Sequence, residues 1–391
     1  MNNKKINIGL FGFGVVGSGL AYVLEQGKTV DAKITKVCVK NPSKKRDFPK
    51  EKITTQAEEI LQDKSIDLIV ELIDDADAAY QIVKQALINK KSVVSGNKRM
   101  LAHHLNELIR LQQENKVALL YEASACGSIP IIRNLEEYYD NDLLKSITGI
   151  LNGSTNYILT KMFSEKLAYD EALKKAQELG FAESNPIFDV EGFDALYKLV
   201  ILAVHSIGAY VYPNKIFHFG ISKISTADIS YALEKRKKIK LVGQIHKLND
   251  KSFTLFVIPK LVSSNEYIYS VENEYNGVVI EGECYDKQFM FGKGAGSYPT
   301  GSAVLSDITA RAHDYRYEYK KIKYFPPLQY TTEVKIEIYL RYKELIDFSH
   351  FEFDTISEKY SSKEAHYVVG YIRLSELLKI QNILPKLDVF I

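Results

Sequence analysis

The sequence has few cysteines, almost no net charge and no long hydrophobic run, and each of these absences excludes a class of protein. Only three of the 391 residues are cysteines, Cys38, Cys126 and Cys284. An odd number of widely separated cysteines excludes a disulfide framework and is typical of a reducing compartment. Their spacing also matches no metal site.

The charges of the chain nearly cancel, because 51 Lys and Arg residues stand against 49 Asp and Glu residues, for a formal net charge of +2. No global field therefore attracts nucleic acid or an anionic membrane. The most apolar later run, residues 199–212, is too short to span a bilayer and contains His205. Residues 1–14 lack the small-residue cleavage site of a signal peptide. We expect a cytoplasmic protein that binds neither nucleic acid nor membrane and has a small-molecule or protein partner.

Short aliphatic runs alternate with helical stretches over about the first 130 residues. The strand-like runs are residues 5–11, 34–40, 67–73, 92–96 and 118–124, and the helical stretches include residues 15–24, 78–90 and 103–115. This alternation predicts a parallel, doubly wound α/β sheet, which is a Rossmann-type dinucleotide-binding domain. With 391 residues, of which 46% are hydrophobic, the chain is expected to form two or three domains.

The pattern changes after about residue 145. An extended segment at 146–153 is followed by helices within 162–180 and 194–206, and then by strands at 252–262 and 276–285. Helices followed by strands predict an α+β domain.

The adjacent prolines Pro326 and Pro327 form the clearest boundary in the chain, because they fit neither a helix nor a central strand. Beyond them, residues 334–341 alternate between apolar and polar side chains, which is typical of a half-buried strand. Further strands are predicted at 351–357, 366–374 and 387–391, with a helix at 375–384.

A glycine-rich turn follows the first predicted strand and opens the first predicted helix. Gly12, Gly14 and Gly17 fit the G-x-G-x-x-G pattern in this context. In such a turn the backbone of Phe13, Gly14 and Val15 approaches a pyrophosphate, and the helix N-terminus faces the phosphates. The alternative is an ordinary tight turn between a strand and a helix, but the context favours dinucleotide binding.

The end of the second predicted strand carries cations where an NAD enzyme usually offers a carboxylate to the ribose. Lys40, Lys44, Lys45 and Arg46 occupy this region. Cations suit a 2′-phosphate, which favours NADP over NAD. The alternative is a solvated loop in a lysine-rich protein.

Four charged side chains lie in a segment that is otherwise rich in Phe, Val, Ile and Leu: Glu183, Asp189, Asp194 and Lys198. We expect Glu183 in a loop and Asp189 at the start of the next helix. Asp194 and Lys198 then lie one turn apart on the same face of that helix. Charges in apolar surroundings indicate either a buried ion network or an active site, and the alternative is a surface ion pair.

This segment, GFAESNPIFDVEGFDALYKL at 180–199, resembles the substrate segment of homoserine dehydrogenases. Three further stretches agree with this resemblance: EASACGSIPII at 122–132, GILNGSTNYIL at 149–159 and GKGAGSYPTGSAVLSDI at 292–308. The likeness covers about residues 5–310 in unbroken order, and four separate motifs are much more specific than one.

The resemblance implies reversible hydride transfer between L-homoserine and L-aspartate 4-semialdehyde, in threonine, methionine and isoleucine biosynthesis. By motif match, Lys198 exchanges the proton of the substrate hydroxyl with the help of Asp194. Glu183 and Asp194 bind the substrate, and Asp189 supports them. Lys98 lies between the nicotinamide and the substrate. Such a substrate needs anions for its ammonium group and a cation for its carboxylate, and both kinds of group are present.

The resemblance also implies binding sites for the cofactor and for a monovalent cation. Gly180 and Gly296 match positions that approach the cofactor. The backbone carbonyl groups of four residues match a cation site, such as a sodium site: Glu122, Ala125, Gly127 and Ile129. Carbonyl oxygens suit hard cations, and the alternative is a tight turn between a strand and a helix.

We therefore expect a dinucleotide-binding domain at 1–130, completed by part of 295–325, and a catalytic and dimerisation domain at 131–310. The tail at 328–391 resembles a shortened ACT domain that is better suited to pairing sheets between subunits than to sensing threonine. The resemblance implies a homodimer. Two alternatives stay open: another NADP-dependent oxidoreductase of amino-acid metabolism on the same fold, and a non-catalytic nucleotide-sensing protein.

Overall fold

The strands and helices follow the hydrophobic periods of the sequence, which are two in a strand and about 3.6 in a helix. They are taken from a computed structural model that describes residues 5–27, 30–141, 143–362 and 366–391. The N-terminal segment at 1–14, which we do not interpret as a signal peptide, is described only in part. Its residues 1–4 lie outside the described residues.

The described strands are β1 (Ile6–Phe11), β2 (Ala32–Cys38), β3 (Ile53–Thr54), β4 (Leu68–Glu71), β5 (Ser92–Ser95), β6 (Leu119–Leu120), β7 (Leu144–Ile150), β8 (Lys237–Lys247), β9 (Ser252–Ser263), β10 (Tyr275–Gly282), β11 (Asp286–Lys293), β12 (Gln329–Tyr330), β13 (Lys335–Tyr342), β14 (Phe353–Ser361), β15 (His366–Arg373) and β16 (Val389–Phe390). The described α-helices are α1 (Val15–Gln26), α2 (Glu58–Leu61), α3 (Ala76–Ile88), α4 (Lys98–Asn115), α5 (Ile131–Glu137), α6 (Gly153–Ser164), α7 (Tyr169–Glu178), α8 (Ile187–Val190), α9 (Phe193–Ile207), α10 (Thr226–Glu234), α11 (Ser297–Ala312), α12 (Lys320–Tyr324), α13 (Leu345–Phe348) and α14 (Leu374–Ile380).

These elements form two units. The first unit comprises Met1–Asp140, Val204–Ser206 and Gly292–Tyr324, and the second comprises Asn141–Ala203, Ile207–Phe291 and Phe325–Ile391. The division into three functional domains at the boundaries given above stays a prediction. Within the described residues, no helix has both the length and the apolar character of a membrane-spanning segment.

The first unit contains a six-stranded sheet in the order β3-β2-β1-β4-β5-β6. All five strand pairs in this sheet are parallel. Strands β4 and β5 are buried along their whole length, as expected for a parallel sheet that is covered on both faces. The strand order reverses beside β1, which is the point where a Rossmann-type sheet binds its ligand. The predicted Rossmann-type fold is confirmed.

Helix α11 packs against α1 in the first unit, although the two helices are far apart in sequence. Their contact depends on small residues, because a methyl group on Gly19 would collide with the backbone carbonyl of Ser297. A methyl group on Gly301 would lie 2.8 Å from the backbone of Gly19 and Leu20. Glycine at these positions therefore allows the two helix backbones to approach closely.

The second unit contains a mixed six-stranded sheet in the order β11-β10-β7-β8-β9-β12. Strands β8 and β9 pair in antiparallel fashion over eleven consecutive residue pairs, from Lys237 opposite Ser263 to Lys247 opposite Phe253. Helix α9 is buried along most of its length, which agrees with its almost wholly apolar sequence. This mixture of helices and a mixed sheet confirms the α+β prediction. Strand β8 was not predicted.

The tail after the two prolines forms a four-stranded sheet in the order β14-β15-β13-β16, with antiparallel pairing throughout. After the short strand β12, which pairs with β9, the elements of the tail follow the order strand, helix, strand, strand, helix, strand. This is the βαββαβ arrangement. The first helix, α13, has only 4 residues, and the second, α14, has 7. The assignment of this tail as ACT-like stays a prediction.

Candidate functional site

The glycine turn of the first unit places each of its three glycines differently with respect to the surrounding backbone. Gly12 has a φ angle of +90°, and a methyl group on it would lie 2.5 Å from the carbonyl oxygen of Leu72. A methyl group on Gly17 would lie 2.5 Å from the carbonyl oxygen of Gly12. At Gly14, no heavy atom lies within 4 Å of the position a methyl group would take. The turn is therefore fixed by Gly12 and Gly17 and open at Gly14, where a ligand can approach the backbone.

Two helix N-termini meet beside this open position. Helix α1 begins at Val15, whose side chain is largely exposed, and helix α11 begins at Ser297. The Ser297 hydroxyl donates a hydrogen bond of 2.8 Å to the carbonyl of Val15. Neither helix has a side-chain cap, and Gly296 precedes α11 with a φ angle of +121°. Uncapped N–H groups at two helix N-termini attract anions, so this corner fits the pyrophosphate of a dinucleotide.

The cations that favour NADP lie on the loop that follows β2. Lys40, Lys44 and Lys45 are exposed. Arg46 is turned back onto its own loop, where its guanidinium group donates hydrogen bonds of 2.7 Å and 2.9 Å to the carbonyls of Asn41 and Lys44. Of the four predicted cations, the three lysines therefore present the more accessible charges.

The carboxylates Asp74 and Asp75 follow β4 at the same edge of the sheet, where they would repel a phosphate that they faced. Both residues are exposed. Asp75 caps α3, because its side chain accepts a hydrogen bond of 3.0 Å from the backbone of Ala78. Helix capping therefore accounts for the presence of Asp75 at this position, and no role in cofactor binding is needed to explain it.

Lys98 is the first residue of α4, which begins five residues before the predicted start at residue 103. The earlier start follows from Asn97, whose side chain caps the helix by accepting a hydrogen bond of 2.9 Å from the backbone of Met100. The Asn97 amide also donates a hydrogen bond of 2.9 Å to the carbonyl of Ile73. The loops after β4 and β5 are thus joined next to Lys98.

Beneath this loop lies a buried acid, Glu71, which we did not predict as a site residue. Its carboxylate accepts hydrogen bonds of 2.6 Å from the Ser95 hydroxyl and 2.8 Å from the backbone of Ile73. The Ser95 hydroxyl oxygen in turn accepts a hydrogen bond of 3.1 Å from the backbone of Asn97. Burial raises the pKa of Glu71 from its ordinary value of 4.5 to about 7, and the hydrogen bonds oppose that rise only in part.

In the second unit, Asp194 and Lys198 form a buried ion pair. Lys198 Nζ lies 2.7 Å from Asp194 Oδ2. Lys198 is 6% exposed and Asp194 is 4% exposed. Lys198 Nζ also donates a hydrogen bond of 2.7 Å to the carbonyl of Leu151. The side-chain amide of Asn152 joins Asp194 to Asp189, with hydrogen bonds of 2.9 Å and 2.7 Å. Three of the four predicted residues of this segment are therefore connected, and the surface ion pair alternative is wrong.

The expected position of Asp189 needs a correction. Asp189 lies in the separate one-turn helix α8, and not at the start of the helix that carries Asp194 and Lys198. Gly192, with a φ angle of +85°, separates α8 from α9 in a backbone conformation that a helix cannot include. Glu183 lies in the exposed loop between α7 and α8, as predicted. The contacts described above connect Asp189, Asp194 and Lys198, and none of those contacts involves the Glu183 carboxylate. Gly180 follows α7 with a φ angle of +76°.

The segment proposed as a cation site forms a 3-10 turn at Glu122–Ser124 and a tight turn around Gly127. Gly127 has a φ angle of +55°, and a methyl group on it would lie 2.6 Å from the Lys293 carbonyl oxygen. The Glu122 carboxylate accepts two hydrogen bonds of 2.8 Å from the backbone of Ile132 and Arg133. Burial raises the pKa of Glu122 to about 8. Among the described residues, no group of three or more His, Cys, Asp or Glu side chains could hold a metal ion.

Comparison with known families agrees with the motifs. Residues 130–309 match the family model for homoserine dehydrogenase, and residues 12–122 match the model for the homoserine dehydrogenase NAD binding domain. The chain belongs to the homoserine dehydrogenase family. The resemblance seen in the four motifs is thereby confirmed, and the glycine turn lies within the NAD-binding part.

Individual homoserine dehydrogenases resemble the chain over most of its length. The enzyme of Bacillus subtilis (strain 168) is 39% identical over 316 residues, which covers 78% of this chain and 73% of that protein. The crystal structure of a homoserine dehydrogenase from Thiobacillus denitrificans has a TM-score of 0.82 at 29% identity and covers 99% of this chain and 96% of its own. A hyperthermophilic archaeal homoserine dehydrogenase in complex with NADPH has a TM-score of 0.68 at 27% identity and covers 80% of this chain and 99% of its own.

The raised pKa of Glu71 predicts a stability difference that depends on pH. Because the folded state holds this proton more tightly than the unfolded state, the carboxyl group costs no stability below about pH 4.5 and costs more as the pH rises to about 7. Glu71→Gln mimics the protonated form. We expect its free energy of unfolding to equal that of the parent near pH 4.5 and to exceed it by on the order of 3 kcal/mol above pH 7. Urea denaturation across this range measures the difference, with exposed Glu25→Gln as control, and a constant difference would contradict the prediction.

Proposed function

We propose that the chain catalyses reversible hydride transfer between L-homoserine and L-aspartate 4-semialdehyde with a nicotinamide dinucleotide, in the biosynthesis of threonine, methionine and isoleucine. The observation that carries this proposal is the buried pair of Lys198 and Asp194 in a chain of the homoserine dehydrogenase family. An ion pair withdrawn from water costs several kcal/mol before its mutual attraction is counted, so function is a strong reason to keep it.

Oxidation of an alcohol needs a group that takes the hydroxyl proton while the hydride leaves from the same carbon. The bound dinucleotide accepts or supplies that hydride. Lys198 has three N–H positions, and its contacts with Asp194 and the Leu151 carbonyl occupy two of them. We propose that the third position exchanges a proton with the substrate hydroxyl. Asp194 then stabilises the positive charge whenever Lys198 carries the proton.

Four of the predicted residues are proposed to hold the charged groups of the amino acid substrate. Glu183, Asp194 and Asp189 supply negative charge for its ammonium group. Lys98 supplies positive charge for its carboxylate or assists the proton transfer. The position of Lys98 at the start of α4, next to the carboxyl end of β5, supports this role, because ligands of a Rossmann-type sheet bind at this edge.

Replacement of Lys198 tests the reaction. We expect the parent to reduce NADP or NAD in the presence of L-homoserine, and Lys198→Ala to lower kcat by at least about 100-fold while leaving dinucleotide affinity nearly unchanged. Reduced-nicotinamide absorbance measures turnover, and fluorescence titration measures affinity. Lys161→Ala is the matched control, because Lys161 also pairs with an acid four residues away, at the surface of α6.

The same assay separates the alternatives. A parent that oxidises a different amino alcohol but not homoserine would indicate another oxidoreductase on this fold. Dinucleotide binding without any turnover would indicate a nucleotide-sensing protein. Loss of both turnover and dinucleotide binding in Lys198→Ala would mean that the ion pair has only a structural role.

We propose NADP as the preferred cofactor, because the exposed lysines Lys40, Lys44 and Lys45 follow the strand whose end faces the ribose in Rossmann-type domains. The double variant Lys44→Glu and Lys45→Glu should weaken NADPH binding by about tenfold or more and leave NADH binding nearly unchanged. Isothermal titration with both cofactors measures this. Lys64→Glu is the control, since this exposed lysine precedes β4 at the opposite edge of the sheet. Equal losses for both cofactors would contradict the preference.

A monovalent cation such as sodium is proposed at the carbonyl oxygens of Glu122, Ala125, Gly127 and Ile129. The donor chemistry supports this, because carbonyl oxygens are hard ligands. Glu122 O and Ile129 O each accept one backbone hydrogen bond, from Ala125 and Ile131, which leaves a second lone pair on each oxygen. Thermal stability in sodium chloride against tetramethylammonium chloride tests the site, and equal stability in both salts would count against it.

We propose that the protein is a homodimer and that its ACT-like tail pairs sheets between subunits. Strand β14 is the longer of the two outer strands of the tail sheet and is exposed along most of its length, with Ile356 46% and Tyr360 49% exposed. Such an edge offers unpaired backbone groups to a second strand.

The double variant Ile356→Lys and Tyr360→Lys should therefore shift the protein from dimer to monomer in sedimentation velocity, because charge on an exposed edge strand opposes sheet pairing. Ile322→Lys, at a similarly exposed residue of the first unit, is the control. Saturating threonine should leave the activity undiminished. Strong inhibition by threonine would overturn the assigned role of the tail, and a monomeric parent would overturn the dimer.

A further inference from the structure

Asn152 lies at the start of α6 with both ends of its side-chain amide engaged. The residue is 4% exposed and caps the helix. Its Oδ1 accepts hydrogen bonds of 2.8 Å from the backbone N–H and from the hydroxyl of Thr155. These two donors fix the oxygen toward α6, so the amide nitrogen must point away from the helix.

The amide nitrogen points at two carboxylates. It donates to Asp189 Oδ1 at 2.7 Å and to Asp194 Oδ2 at 2.9 Å. The same oxygen of Asp194 also accepts from Lys198 Nζ at 2.7 Å. Asp194 Oδ2 therefore accepts one hydrogen bond from a neutral amide and one from a charged ammonium group.

The residue before Asn152 holds the other partner of the ion pair. The Leu151 carbonyl accepts hydrogen bonds of 2.7 Å from Lys198 Nζ and 3.0 Å from the side chain of Asn276. A methyl group on the next residue, Gly153, would lie 2.5 Å from the Glu274 carbonyl oxygen, so this part of the chain passes close to the segment before β10. Positions 151 and 152 thus hold Lys198 through a backbone carbonyl and Asp194 through an amide.

The two donors on Asp194 respond differently to proton transfer. The attraction between Asp194 and Lys198 weakens when Lys198 gives up its proton, because a neutral amine no longer attracts the carboxylate as a cation. The hydrogen bond from Asn152 does not weaken in this way, because its amide donor is neutral in both protonation states of Lys198. We propose that Asn152 is a positioning residue that keeps Asp194 in place in both protonation states of Lys198, an inference that rests on the proposed function.

Asn152→Asp tests this role with little change in shape. Aspartate keeps the capping oxygen for Thr155, but it replaces the amide donor with a second acceptor that faces two carboxylates. We expect a folded protein whose kcat falls at least about tenfold at pH 8 and recovers in part as the pH falls, because the introduced carboxyl group can donate again once it is protonated. Dinucleotide affinity should stay unchanged. The pH profile of kcat and fluorescence titration of the cofactor measure these effects.

Asn156→Asp is the matched control. Asn156 is a buried asparagine of the same helix, and its amide donates to the backbone carbonyls of Val271, Asn273 and Tyr275. It should lower the melting temperature without adding an acid-side recovery of kcat. Asn152→Ser serves if Asn152→Asp does not fold, since serine caps the helix but cannot reach both carboxylates, and it should lower kcat at every pH.

The outcomes separate the two proposals. A parent that does not oxidise homoserine overturns the proposed function and this role with it. An active parent with an Asn152→Asp or Asn152→Ser variant whose pH profile superimposes on that of the parent overturns the role of Asn152 alone. A lower kcat in Asn152→Asp that does not recover at low pH also overturns it, because general damage to the site has no reason to be reversed by a proton.

Discussion

Burial of the Lys198 ammonium group is the constraint on which the second unit depends. A lysine withdrawn from water is stable only where acceptors replace the lost hydration, and both Asp194 and the Leu151 carbonyl do so. Asp194 in turn needs donors, which come from Lys198 and Asn152. These contacts tie the start of α6 to the first two turns of α9. The apolar residues around them exclude water and fix the geometry, so that the packing of the unit and the arrangement of its charged groups depend on one another.

In the first unit, backbone groups form the glycine turn and side chains join the loops beside it. Its glycine turn is held by close approach of main chain to main chain, and the corner that fits a pyrophosphate presents N–H groups at the starts of α1 and α11. The buried carboxyl group of Glu71 joins the loops after β4 and β5 through Ser95 and the backbone of Ile73. Glycine is therefore required in this unit where two backbones meet, as at Gly12, Gly17 and Gly19.

The sequence could predict elements whose signals are local, and it missed those that depend on distant partners. The parallel sheet was predictable because its strands are short aliphatic runs separated by helical stretches, and the charged cluster was predictable because Asp194 and Lys198 interrupt an apolar helix. Strand β8 was missed because its alternation of polar and apolar side chains is interrupted at Val242 and Gly243. Its Lys240 occupies a polar position of the alternation but is only 2% exposed, because it is bound by Asn156 and the Val271 carbonyl. The contacts of Asn152 with Asp194 and of Glu71 with Ser95 join residues that are far apart in sequence, and no local period reveals such pairs.

The return of α11 to the first unit has a consequence for the order in which the protein is made. A ribosome synthesises the whole Rossmann-type sheet, and then most of the second unit, before the residues of α11 exist. Until Gly301 emerges, the face of α1 around Gly19 lacks α11, the helix that packs against it. The first unit is therefore completed late, and neither unit is encoded by one continuous segment of the gene.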